Sequence, residues 1–123
     1  MREPVRQTTP VLPTPSQEAR DAAASGPRAL QEHDTLLNTW PCLTHLELVQ
    51  PNTAPLPETL TIAAWNIERC KRVEETAEVL RASGADIVLA TEMDYGMARS
   101  GQRHTTRDLA EILGMGYAFG VEF

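Results

Sequence analysis

Two short stretches place side chains suited to metal and phosphate chemistry at the ends of apolar runs. In LTIAAWNIER the run closes on Asn66, and in IVLATEMDYG, residues 87 to 96, it closes on Glu92, with Asp94 two residues later. An apolar run that stops on an acid has two readings. Either the chain has reached the surface, where any polar residue serves, or the strand holds a carboxylate at the rim of a sheet, where a metal ion can use it. In layered α/β folds, side chains at strand ends project into the crevice where ligands bind, so Asn66 and Glu92 are expected to face one site. Magnesium takes oxygen ligands and keeps several waters, so one carboxylate with an amide oxygen beside it suffices for a phosphate-bound ion. Such an ion polarises a phosphoryl oxygen and offsets charge as the leaving group departs.

Each residue alone also has a plainer reading. An Asn after a strand suits a turn, because its amide bonds neighbouring backbone groups, and Glu92 and Asp94 suit a solvated strand end. The loop ARSGQRH adds Arg99, Arg103 and His104 as candidate phosphate contacts, since guanidinium forks match phosphate oxygens. The same side chains equally suit pairing with the chain's surplus acids. WNIERCKR sets Arg69, Lys71 and Arg72 just beyond Asn66, as a phosphate-steering patch or as the start of a surface helix.

Composition narrows the classes. Hydrophobic residues make up 41% and charged residues 23% of 123, near globular averages, so wholesale disorder is not indicated. Eleven Lys and Arg against seventeen Asp and Glu leave a net charge of −6, so no overall basic field draws the chain onto nucleic acid. Cys42 and Cys70 show no zinc-ligand spacing, and reduced thiols in a cytoplasmic protein are expected. No apolar stretch has membrane-spanning length, and the start lacks the apolar core of a secretion signal. Cys70 has no His close in sequence and reads as a packing residue, and His33 and His45 form no ligand cluster. P-loop, dinucleotide-binding and serine-hydrolase motifs are absent, which sets those classes aside.

The elements that must position these residues follow from a change of character near residue 58. All nine prolines precede it, and six of the seven glycines follow residue 83. Residues 1–27 read as a flexible Pro/Ala/Ser-rich tail with a helical turn behind Ser16. Residues 28–57 read as a short amphipathic helix ending at Pro41, an edge strand over LTHLELV (43–49), and a linker. From residue 58, LTIAAW and DIVLAT read as strands covered on both faces, and Val73, Ala77 and Leu80 predict a helix over 72–83 stopped by Gly84. Thr105 and Asp108 have capping-box spacing ahead of a helix ended by Gly114, and YAFGVEF reads as a third strand. The order strand, helix, strand, helix, strand is that of an α/β fold.

The pair LTIAAWNIERCKR and ADIVLATEMDYGMARSGQRH resembles the opening of the endonuclease/exonuclease/phosphatase superfamily. There a first strand ends in W-N and a second ends in a metal-binding Glu; Trp65-Asn66 and Glu92 stand at those positions, and GVEF resembles the next strand. The likeness covers residues 58–123. It implies the N-terminal part of a four-layer α/β sandwich, two β-sheets packed face to face with helices outside, and Mg²⁺- or Mn²⁺-dependent hydrolysis of a phosphoester. The substrate class stays open among nucleic acid, phospholipid head groups and small phosphodiesters. It implies Glu92 as metal ligand and Asn66 as the amide that helps hold metal or phosphate. The family's D-x-N segment and late D-H pair do not occur in these 123 residues, so the resemblance implies a portion inactive alone without the C-terminal half of the domain. The alternative is a non-catalytic interaction fragment that pairs its open strand edges with a partner.

Overall fold

The computed structural model describes Val5 and residues 7–51 and 55–121. Residues 1–4 and 6 of the expected tail, 52–54 of the expected linker and 122–123 of the expected last strand lie outside the described residues. Among the described residues the fold is mixed α/β, with five α-helices and two small sheets. The chain divides into two compact units, Met1–Val49 with Ala118–Phe123, and Gln50–Tyr117.

The first unit begins with strand β1 (Gln7–Thr9) and helices α1 (Gln17–Ser25), α2 (Leu30–Thr39) and α3 (Pro41–Thr44), followed by strand β2 (His45–Val49). Where composition predicts a flexible tail, β1 pairs in parallel with β2, Gln7 opposite His45. Helix α1 starts where Ser16 caps it, the Ser16 hydroxyl accepting from the Ala19 N–H at 3.1 Å. Strand β2 is central and not an edge, because the order is β1-β2-β5, with β5 spanning Tyr117–Phe119. Its partners come from opposite ends of the chain, which local alternation cannot show. Glu47 of β2 is buried, and its Oε2 accepts from the Leu12 N–H at 2.8 Å.

The second unit holds the candidate residues. Strand β3 (Ile62–Arg69) pairs in parallel with β4 (Ile87–Met93), Ile62 opposite Ile87 and Asn66 opposite Thr91. Helix α4 (Val73–Ser83) joins them, and α5 (Thr105–Leu113) follows. Val73, Ala77 and Leu80 of α4 and Leu109 of α5 are buried with Ile67 and Cys70, and Ala63, Val88, Ala90 and Met93 pack on them from the strands. Burial of a side chain such as Leu80 or Leu109 contributes roughly 1.5–3 kcal/mol. Gly84, at φ +66°, ends α4 in the left-handed conformation that a side chain resists.

Three expectations for this unit need correcting. The strands are covered on one face only, since Ile62 and Leu89 of the other face are each 58% exposed. The third strand, β5, joins β2 and not the β3–β4 pair. Thr105 is the first residue of α5 and not its cap: its hydroxyl donates to the Asp94 carbonyl at 2.9 Å. His104 caps the helix instead, its Nδ1 accepting from the Arg107 N–H at 3.4 Å.

Candidate functional site

Asn66 and Glu92 meet at the finishing ends of adjacent parallel strands. Both lie within the last residues of their strands and not just past them, because pairing runs on to Arg69 opposite Met93. Asn66 Nδ2 donates to Glu92 Oε1 at 3.0 Å, and Asn66 Oδ1 accepts from the Glu68 N–H at 3.1 Å. The two contacts require opposite ends of the amide, so together they fix its orientation.

The backbone here is unusual. The register slips between Asn66 and Arg69, and Glu68, Arg69 and Cys70 follow one another at φ +45°, +74° and +48°, with Glu92 at +58° on the neighbouring strand. A non-glycine residue in the left-handed region costs about 1–2 kcal/mol, and such strain collects at sites where geometry serves a purpose. What holds the turn is visible: the Cys70 N–H donates to the Ile67 carbonyl at 3.1 Å, and both side chains are buried in the core. The turn aims Arg69 at Glu92, Nη1 standing 3.4 Å from Oε2, with the two side chains 39% and 40% exposed.

Asp94, two residues beyond Glu92, is placed otherwise. Its side chain is 3% exposed and takes both prongs of Arg99, Nε at 2.8 Å and Nη2 at 2.7 Å. These bonds hold the carboxyl below the usual Asp range against the opposing effect of burial. Arg99 itself stays 45% exposed. Arg69 also acts electrostatically on Asp94, and Arg99 on Glu92, so the four side chains form one cluster of alternating charge.

Arg103 and His104 go elsewhere. Arg103 bonds Asp108 at 2.7 Å and Glu74 at 3.1 Å, tying α5 to the start of α4. His104 is buried, with its ring 4.5 Å from that of Tyr95 and 5.7 Å from that of Tyr117. Tyr95 and His104 bridge across the loop, the Gly96 N–H donates to the Arg103 carbonyl, and the Thr105 N–H to that of Asp94, which closes residues 94–105 into a fixed hairpin. Of the three loop candidates, Arg99 alone joins the Asn66–Glu92 cluster. Sequence reading did not pair Arg69 with Glu92 or name Asp94 as the acid that Arg99 takes; the Asp94/Arg99 spacing across a glycine-containing loop was the one signal available for the second.

The donor set fits an oxygen-seeking divalent ion on one side only. Glu92 offers a part-exposed carboxylate already met by the Asn66 amide and the Arg69 guanidinium, while the Asn66 oxygen is turned to Glu68 and Asp94 is committed to Arg99. Among the described residues no group of three or more His, Cys, Asp or Glu converges as a metal site. An ion that keeps most of its waters and takes one protein carboxylate is compatible with this arrangement. A separate open recess of about 330 Å³, lined by Leu80, Arg81, Asp86, Val88, Leu113 and Met115, lies at the starting end of β4, opposite from Glu92. Among the described residues no helix is long and apolar enough to cross a membrane. No family description, curated protein or solved structure matches the chain.

Proposed function

We propose that the chain carries the opening portion of a metal-dependent phosphoester hydrolase of the endonuclease/exonuclease/phosphatase type. In this reading residues 58–123 belong to the catalytic domain, as the first part of a four-layer α/β sandwich, and the setting is cytoplasmic. The observation that carries it is the Asn66–Glu92 hydrogen bond, which joins at one strand end the two residues that the resemblance singles out.

Glu92 is the carboxylate that holds Mg²⁺ or Mn²⁺, and Asn66 orients it by donating to Oε1 while its own oxygen is pinned by Glu68. The ion, when bound, withdraws charge from a phosphoryl oxygen and so eases departure of the leaving group. Arg99 presents the rest of its guanidinium to the same phosphate, held in place by Asp94. Arg103 and His104 shape the loop that positions Arg99.

In the protein as its gene encodes it, Glu92→Gln should abolish Mg²⁺-dependent hydrolysis of a test phosphodiester such as bis(p-nitrophenyl) phosphate. Turnover equal to the parent would sink the assignment. The uncovered face bearing Ile62 and Leu89 favours a second reading, a non-catalytic interaction piece. That reading requires a stoichiometric complex in pull-downs with no hydrolysis from any version of the protein.

A further inference from the structure

The open recess of about 330 Å³ at the starting end of β4 combines an apolar lining with two opposite charges. Leu80 of α4, Val88 of β4, and Leu113 and Met115 at the C-terminal end of α5 supply the apolar part, and Arg81 and Asp86 the charges. Each charge is anchored to the backbone. Arg81 Nη2 donates to the Ile112 carbonyl at 2.9 Å, and Asp86 Oδ2 accepts from the Thr61 N–H at 2.8 Å. Elsewhere in this unit Arg69, Arg99 and Arg103 each take an acid, but among the described residues Arg81 and Asp86 form no ion pair, with each other or with a third group. A fixed cation and a fixed anion therefore share one recess without neutralising one another. Both α4 and α5 also end here, at Gly84 and Leu113, and the C-terminal end of a helix carries partial negative charge that favours a cation.

We propose that this recess binds a small apolar α-amino acid of about leucine's size. The ligand's carboxylate meets the Arg81 guanidinium, its ammonium meets Asp86 and the two helix ends, and its side chain covers Leu80, Val88, Leu113 and Met115. Charge complementarity selects this class: a molecule with one charge leaves Arg81 or Asp86 unmatched, and a molecule with none leaves both. Size agrees, because the volume stands at the small end of ligand pockets, which run from about 300 to 1,000 Å³. The site stands apart from Glu92, which lies at the other end of β4.

The test is a titration of L-leucine into the ¹⁵N-labelled full chain, read from the backbone amide signals of Gly84, Ala85 and Met115. These should shift and saturate with a Kd of about 1 mM, as suits an open site. 4-Methylpentanoate, which lacks the ammonium, and 3-methylbutylamine, which lacks the carboxylate, should each bind roughly fivefold more weakly. Glycine, with both charges and no apolar body, should leave the three signals in place at the same concentrations. Arg81→Gln and Asp86→Asn should each weaken leucine binding roughly fivefold, and Asp86→Asn keeps an oxygen for the Thr61 N–H, so it tests the charge even if Arg81→Gln disturbs the helix ends. Ala85→Leu should fill the recess and abolish binding. Absence of saturable shifts, or shifts centred away from the recess, overturns the site. Equal binding of leucine and 4-methylpentanoate, or leucine binding unchanged in Asp86→Asn, overturns the amino-acid assignment.

Discussion

Acids and arginines meet in two neighbouring regions of this molecule, the finishing ends of β3 and β4 and the loop after β4, and they serve opposite ends. In the loop, Asp94 is buried and grips Arg99 through two short bonds, while Arg103 ties Asp108 and Glu74 together across two helices. At the strand ends, Glu92 and Arg69 are both well exposed and stand 3.4 Å apart, close enough to attract and too loose to brace anything. Residue type does not separate the two regions; burial does. Glu92 and Asp94 are two positions apart, and one is exposed at the surface while the other is spent on structure.

The contrast breaks or sharpens with a few substitutions. The largest stability effect belongs to Asp94→Ala, which strips a buried carboxylate from its charged partner. Bonds of this kind contribute about 1.5–3 kcal/mol, so urea unfolding should show a loss of about 2 kcal/mol. A loss below about 0.5 kcal/mol would place Asp94 with Glu92 and erase the distinction. Acid provides a second check on the same residue. Arg99 holds the native Asp94 carboxyl below its ordinary range, so the native state takes up its proton at lower pH than the unfolded chain. That stabilisation is fully present above the ordinary Asp value of about 3.9 and fades as pH falls through the lower native value. Urea midpoints of the parent should therefore drop more steeply below about pH 4 than those of Asp94→Asn.

His104→Ala comes next, removing a helix cap and a ring packed between two tyrosines, with an expected loss of about 1–2 kcal/mol. A matching fall in the thermal midpoint would confirm the loop as a framework. Smallest of all should be the stability effect of Glu92→Gln, within about 0.5 kcal/mol of the parent. The change that the proposed hydrolase function needs to be silent would then leave the fold untouched. A large destabilisation there would make Glu92 a structural acid and weaken the case for chemistry.

What the sequence showed and hid follows from the range of the forces involved. Helix α4 was legible because Val73, Ala77 and Leu80 repeat on one face and Gly84 supplies the left-handed stop. Asn66 and Glu92 were legible as a pair because each closes an apolar run, and parallel pairing brings such ends side by side. Strand β1 was hidden, since QTT has no apolar alternation and its partner lies far along the chain. The cap on α5 was misread because Thr105 has the right chemistry and spacing, but the Asp94 carbonyl claims its hydroxyl. Nothing in GLU-ARG-CYS, residues 68–70, announces a left-handed turn, because none of the three is glycine or asparagine. Its geometry is held by the buried Ile67 before it and by the buried Cys70 that closes it.

Cys70 gives that turn a consequence of its own. It closes the left-handed run, its side chain sits in the core, and burial pushes its thiol up, away from the reactive thiolate. Cys42, the other free cysteine, is only half-buried. A maleimide added to the native protein therefore meets two clocks, one at Cys42 and a slower one at Cys70 that ticks only when the turn lets go. The ratio of the two labelling rates measures how often the strand end relaxes, with no probe introduced beyond the residues already in the chain.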